Sequence, residues 1–210
     1  LTISATPPPE QEGQQGGISA TDLFVTAEAS RGSVMVGEPF TVEYRIWTRV
    51  DVGGYNLTNV PEPEGFWMED LAGVTQPEVE QIVRDGQQYA TAIIRRVALI
   101  PTSAGEKQLA PLGVEAQVRT RRAGGDPFDD FFGRSSLFGT TMVPTPLLSN
   151  ALTIDVAPLP PGRPEPFSGV VGDLNISAVL DRDTVDANDA VTLTVRVTGQ
   201  GNLRAVRVTA

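Results

Sequence analysis

The chain has 210 residues, 16 Lys and Arg against 26 Asp and Glu, a formal net charge of −10, and neither His nor Cys. Those absences exclude a Ser–His–Asp triad, a Cys nucleophile, a Cys/His zinc site and a disulfide frame. The acidic balance, with a pI near 4.5, argues against nucleic acid, whose binders cluster Lys and Arg on one face, and leaves protein partners and hard cations open.

Hydrophobic residues make up 40 % of the chain, enough for a packed core and one or two domains. No apolar run approaches the roughly 20 residues of a membrane helix. No signal peptide opens the chain, and Leu1 reads as the start of an internal fragment. From that end, Leu1-Thr-Ile3 is a short strand followed by the Pro-rich Pro7-Pro-Pro9. Phe40, Val42, Tyr44 and Ile46 alternate with Thr41, Glu43 and Arg45. Period two puts successive side chains on opposite faces, so this run is a strand with one buried face. Val60-Pro-Glu-Pro-Glu-Gly-Phe-Trp-Met68 reads as an edge turn followed by aromatic core residues. Gln81–Arg84, then Asp85-Gly86, then Gln87–Ile100 reads as a hairpin, because Asp-Gly supplies the positive φ angles of a tight turn. Leu112–Val118 and Leu152–Val156 are further strands, and Val191, Leu193, Val195 and Val197 repeat the alternation. No segment carries an amphipathic-helix pattern. The 17 Pro and 21 Gly punctuate many short strands, the profile of an all-β sandwich.

The chain repeats itself. Asp22-Leu-Phe-Val-Thr-Ala27 matches Asp173-Leu-Asn-Ile-Ser-Ala178 at an offset of 151 residues. Without a gap, the same offset carries Val34 onto Val185, Glu38 onto Asp189, and Phe40, Val42, Tyr44 and Ile46 onto Val191, Leu193, Val195 and Val197. It also carries Leu1-Thr-Ile3 onto Leu152-Thr-Ile154 and Pro7 onto Pro158. Pro cannot donate to a ladder and stiffens the chain, so the Pro-rich stretches read as linkers. The expected layout is tandem immunoglobulin-like sandwiches: residues 1–17 end a preceding domain and add a linker, 18–157 form a complete domain, 158–170 a linker, and 171–210 the first strands of a truncated one. Strands 171–210 alone would leave open edges and an uncovered face.

Three segments are candidates for chemistry. Gly125-Asp-Pro-Phe-Asp-Asp-Phe-Phe-Gly133, followed by Leu137-Phe138, is the most unusual. It lies in a long connection between strands ending near Arg119 and starting near Leu152, and connections of that length are often functional. Asp126, Phe128, Asp129, Asp130, Phe131 and Phe132 form a candidate partner-binding set of aromatic anchors with a charged rim. The other reading folds the Phe side chains back onto the domain's own core, with Arg119, Arg121 and Arg122 pairing the aspartates. Asp181-Arg-Asp183-Thr-Val-Asp186-Ala-Asn188-Asp189 offers oxygens to calcium, or turn formers between strands. Glu62, Glu64, Glu69 and Asp70 leave carboxylate-only catalysis formally open, but nothing in their spacing pairs them across a cleft, and the chain reads as non-enzymatic with no cofactor. Asn56-Leu-Thr58 and Asn175-Ile-Ser177 fit a glycosylation triplet that is common by chance.

Asp22-Leu-Phe-Val, Val36-Gly-Glu-Pro-Phe-Thr-Val-Glu-Tyr44, Gly65-Phe-Trp67, the Asp126–Gly133 segment, Phe167-Ser-Gly-Val-Val-Gly172 and Gly199-Gln-Gly-Asn-Leu203 together resemble a repeat of the BatD family of aerotolerance-associated bacterial proteins. The resemblance spans nearly the whole chain. It implies several immunoglobulin-like domains outside the cytoplasmic membrane, anchored by a C-terminal membrane helix that this fragment does not include. It implies a periplasmic or extracytoplasmic scaffold, and partners among the von Willebrand A-type membrane proteins of the same gene cluster. No catalytic residues carry over. Von Willebrand A domains often hold a divalent metal with an open position, and Asp126, Asp129 or Asp130 would suit it, since hard cations favour oxygen ligands. The alternative is a calcium- or carbohydrate-binding extracellular β module.

Overall fold

The computed structural model describes residues 18–71, 77–121, 140–162, 167–202 and 206. Every regular element among them is a strand: β1 (Leu23–Ala29), β2 (Ser33–Met35), β3 (Phe40–Thr48), β4 (Val52–Asn59), β5 (Phe66–Asp70), β6 (Glu80–Arg84), β7 (Gln87–Pro101), β8 (Gly105–Leu109), β9 (Gly113–Arg121), β10 (Thr140–Leu148), β11 (Leu152–Ala157), β12 (Gly172–Leu180) and β13 (Leu193–Gly201). No helix among them is long and apolar enough to cross a membrane.

The alternation in β3 does what period two requires. Phe40, Val42, Tyr44 and Ile46 are buried and the residues between them are half-exposed. β3 lies between β1 and the 15-residue β7, and β5 and β6 both pair with β7's far edge, one along each half. A bulge between Tyr44 and Arg45 skips Ile94 in the β3–β7 ladder. The extra residue resets the alternation, so Ala92 before it, Ile94 itself, and Val97 and Leu99 after it all reach the core.

The opposing layer is made of two three-stranded sheets, β10-β9-β4 and β2-β11-β8. It contributes Val34, Leu109, Leu112, Val114, Ala116, Val118, Ile154 and Val156 to one continuous core with the first sheet. Each fully buried aliphatic side chain there is worth about 1.5–3 kcal/mol relative to exposure. β2 and β11 run parallel, Val34 opposite Val156. The layers are stapled at the β10–β11 corner. The Asn150 side-chain amide accepts from Ala27 N (2.8 Å) and donates to Ala27 O (3.0 Å), and Ser149 Oγ accepts from Leu112 N (2.9 Å). The molecule is therefore an all-β, sandwich-type fold.

The internal repeat is present as geometry. Leu23 stands opposite Thr48 and Ala29 opposite Val42. At the same offset of 151, Leu174 stands opposite Gly199 and Leu180 opposite Leu193. The closing bonds match as well. Ser30 N donates to Thr41 O and Asp181 N to Thr192 O; Thr41 N donates to Ser30 Oγ and Thr192 N to Asp181 Oδ1, both at 3.0 Å. Glu38 N donates to Met35 O and Asp189 N to Asp186 O. Gly37 and its counterpart Asn188 both take positive φ, 81° and 73°. The register, the strand ends and the turn agree.

Two expectations are corrected. The connection from Arg119 to Leu152 is not one long loop, since β10 occupies Thr140–Leu148 and pairs along β9 from Gly113↔Leu148 to Arg121↔Thr140. Pro144 and Pro146 hid this strand; β10 is a sheet edge, where a residue without an N–H is tolerated. Phe66 packs edge-on against Phe40 (5.8 Å) and joins the core, whereas Trp67, one residue on, points outward and is 43 % exposed.

Candidate functional site

The expected partner-binding residues Asp126, Phe128, Asp129, Asp130, Phe131 and Phe132 lie outside the described residues, as does Arg122. The structure does describe the strands that flank them. β9 and β10, the strands before and after the segment in the chain, form a regular antiparallel pair whose last rung is Arg121 opposite Thr140. Arg119 in β9 is turned to Asp51 at 3.5 Å. Both groups are about half-exposed, so this pair is worth about 0–1 kcal/mol.

The same end of the sandwich carries a cluster that sequence reading missed. The chain passes from β3 to β4 through Arg49–Asp51, and Arg119 N donates to Asp51 O. On the outer face of the first sheet, beside that crossover, Phe24 and Trp47 stack at 6.0 Å with rings 10° apart. Tyr89 stands edge-on to both, at 5.6 and 6.1 Å. The Arg84 guanidinium lies over Trp47 (5.1 Å) and Phe24 (5.4 Å), Arg45 over Trp47 and Arg49 over Tyr89. Trp47 Nε1 donates to Thr26 Oγ1 (2.9 Å) and Tyr89 Oη to Thr21 O (3.0 Å), which fixes the rings. Arg45 pairs with Glu80 and Arg49 with Asp22. The signal in the sequence was Phe24 and Trp47 at positions where alternation calls for polar residues. Rings over which cations sit contribute about 0.5–1 kcal/mol each at exposed sites, and here they make a rigid aromatic and basic platform on an otherwise acidic chain.

Two of the carboxylates read as possible chemistry, Asp70 and Asp181, have structural work. Asp70 holds Arg95 through Nε (2.9 Å) and Nη2 (3.2 Å), compensating a guanidinium buried beside Tyr44. Asp181 Oδ1 caps the β13 end at Thr192 N, and Asp186 O accepts from Asp189 N in a turn. Among the described residues no three His, Cys, Asp or Glu side chains gather as a metal site would require. A cleft of about 500 Å³ lies where Ser30, Arg31, Glu38 and Phe40 face Asp173 and Gln200. Arg31 and Glu38 bond each other inside it, leaving no convergent set of free groups. No family model and no curated protein matches the chain.

Proposed function

We propose that the chain is a non-enzymatic interaction or scaffold module of the cell envelope, part of a BatD-like, membrane-anchored protein associated with oxygen and stress tolerance. The observation that carries this reading is the twice-built strand unit, with one register, one turn and one cap recurring at an offset of 151. In this reading 18–157 and 171–210 belong to successive immunoglobulin-like units joined by the 158–170 linker. Repeated sandwich units present surfaces, and connections between the strands of a rigid scaffold are where binding residues concentrate. The Asp126–Phe132 segment, which follows β9 and precedes β10 in the chain, is the surface assigned to a von Willebrand A-type partner, with an aspartate completing the partner's divalent metal and Phe packing around it.

Affinity capture of such a partner by the 210-residue chain tests the reading. Capture is expected in millimolar Mg²⁺, with loss in EDTA and at least tenfold weakening by combined Asp126→Ala, Asp129→Ala and Asp130→Ala. Capture that ignores both EDTA and the triple substitution removes the assignment; no capture under any condition removes the partner.

A further inference from the structure

An open strand edge invites another strand, and the sandwich blunts its edges one by one. Pro144 and Pro146 remove N–H groups from β10. The Asn150 amide occupies both Ala27 N and Ala27 O on β1. β5 carries Glu69 and Asp70, β6 carries Glu80 and Arg84, and β8 carries Glu106 and Lys107. β4 has none of these devices. It pairs with β9 on one side, and among the described residues no strand pairs with the other. Of the described strands longer than three residues, it alone holds neither a charged residue nor a proline. The uncharged run continues through Val60, in a chain of net charge −10.

Two backbone bonds fix which β4 groups are free. Arg119 N donates to Asp51 O, and Ser149 N donates to Leu112 O. Hydrogen-bonding direction alternates along an antiparallel strand. Odd-numbered residues of β9 therefore turn their backbone groups to β4, and even-numbered ones to β10. Tyr55 and Leu57 stand opposite Ala116 and Val114, so both turn N–H and C=O away from β9 into the open edge. By the same alternation Pro144 and Pro146, opposite Gln117 and Glu115, fall on the open edge of β10, where a missing N–H is harmless. The side chains of Tyr55 and Leu57 share the core side with the buried Ala116 and Val114. Tyr55 packs against the core, and Leu57 is 37 % exposed. Asn56, between them, is exposed on the opposite face.

We propose that β4 is a self-pairing edge, adding antiparallel to β4 of a second copy about a two-fold axis through Asn56. This register engages both free residues of both copies. Tyr55 lies opposite the partner's Leu57 and Leu57 opposite the partner's Tyr55, with backbone bonds exchanged in each pair and the two apolar side chains side by side. Asn56 faces the partner's Asn56 across the axis, where amide can bond amide. A two-fold contact must match itself, and two copies of an acidic chain must keep like charges apart. The uncharged run from Val52 to Val60 meets both conditions. Bulges at Gly53 and Thr58 confine regular pairing to the middle of β4. The contact is therefore short, below the roughly 1,200 Å² of a stable interface, and the dimer is weak, with a Kd between about 10 μM and 1 mM. This goes beyond the envelope reading above and does not depend on it.

Charge placed on the axis tests the contact in the full chain. In light scattering, the mean mass of the unsubstituted chain should rise between about 10 μM and 1 mM. Asn56→Lys and Asn56→Asp each set like charges face to face, and each alone should stay monomeric over that range. An equal mixture of the two should regain the rise, because only unlike copies then pair. The absence of Cys makes the register readable as well. Cα atoms facing each other in such a pair lie about 4.5 Å apart, within disulfide reach. Asn56→Cys should therefore give at least fivefold more disulfide dimer under mild oxidation than Thr58→Cys, whose thiols would stand about 13 Å apart along the strand. Asn56 and Thr58 are both exposed, so an unchanged melt confirms folding. An unsubstituted chain that stays monomeric to about 1 mM, a mass that rises equally in Asn56→Lys, a mixture that stays monomeric, or equal cross-linking from positions 56 and 58 overturns the proposal. Capture of the von Willebrand A-type partner is read from other residues, so either reading can fail alone.

Discussion

Tyr44 sits in the core beside the guanidinium of Arg95, and burial raises its hydroxyl above the ordinary tyrosine range while Arg95 pulls it partly back. Burial also raises Tyr55. The folded state thus holds both phenolic protons more tightly than the unfolded chain does. Their contribution is complete below the unfolded value of about 10 and is lost as pH rises through the higher folded values. Urea midpoints should be flat with respect to these groups up to about pH 9 and fall above pH 10. Tyr44→Phe should remove part of that fall, and Tyr44→Phe with Tyr55→Phe most of it. An undiminished alkaline slope in the double variant would show that other groups drive it. At this scale the sequence was legible for alternating apolar positions and illegible for Arg95, whose burial depends on a bulge one residue away and a carboxylate 25 positions earlier.

Among the elements, the β6–β7 hairpin was readable because its turn chemistry is local. Asp85 and Gly86 both take positive φ, the two-residue turn that suits strand twist. β10 was unreadable for the opposite reason. Its prolines are breakers in any central strand, and only its place at a sheet edge makes them harmless. The duplicated β2–β3 turn gives an element-scale prediction. Gly37 has φ +81°, and a Cβ there would lie 3.1 Å from Val171 Cγ2. Gly37→Ala should therefore cost at least about 1–2 kcal/mol, the left-handed penalty for a side-chain-bearing residue. Asn188→Gly, in the matching turn, should change stability by less than about 0.5 kcal/mol. Chemical denaturation measures both, and equal effects would mean that the two turns are not equivalent. The candidate binding segment was visible in the sequence as a dense run of Phe and Asp, and the structure adds the pairing of the two strands that flank it. The aromatic and basic platform needs strands from distant parts of the chain laid side by side, and the local pattern offers only Phe24 and Trp47 out of step with the alternation.

At the scale of the whole molecule, the two copies of the strand unit have the same hydrogen bonds and opposite burial, so their mutational sensitivities should diverge. Leu23→Ala, at a fully buried site in β1, should cost about 2–5 kcal/mol. Leu193→Ala in β13, measured in dilute solution, should stay within about 0.5 kcal/mol. Comparable losses would mean that the ribbon's face is covered after all. The parallel pairing of β2 with β11 has a mechanical consequence. The sandwich is entered at the β1 end and left at Ala157, so tension along the chain draws β11 forward by its tail and β2 backward through β1. The rungs joining Ser33–Met35 to Asp155–Ala157 then share the load at once instead of peeling in turn. Single-molecule stretching should record one abrupt, high-force rupture for this unit, and a gradual low-force extension would contradict that arrangement. A tether built so would resist being drawn out between two anchoring points far better than its equilibrium stability alone implies.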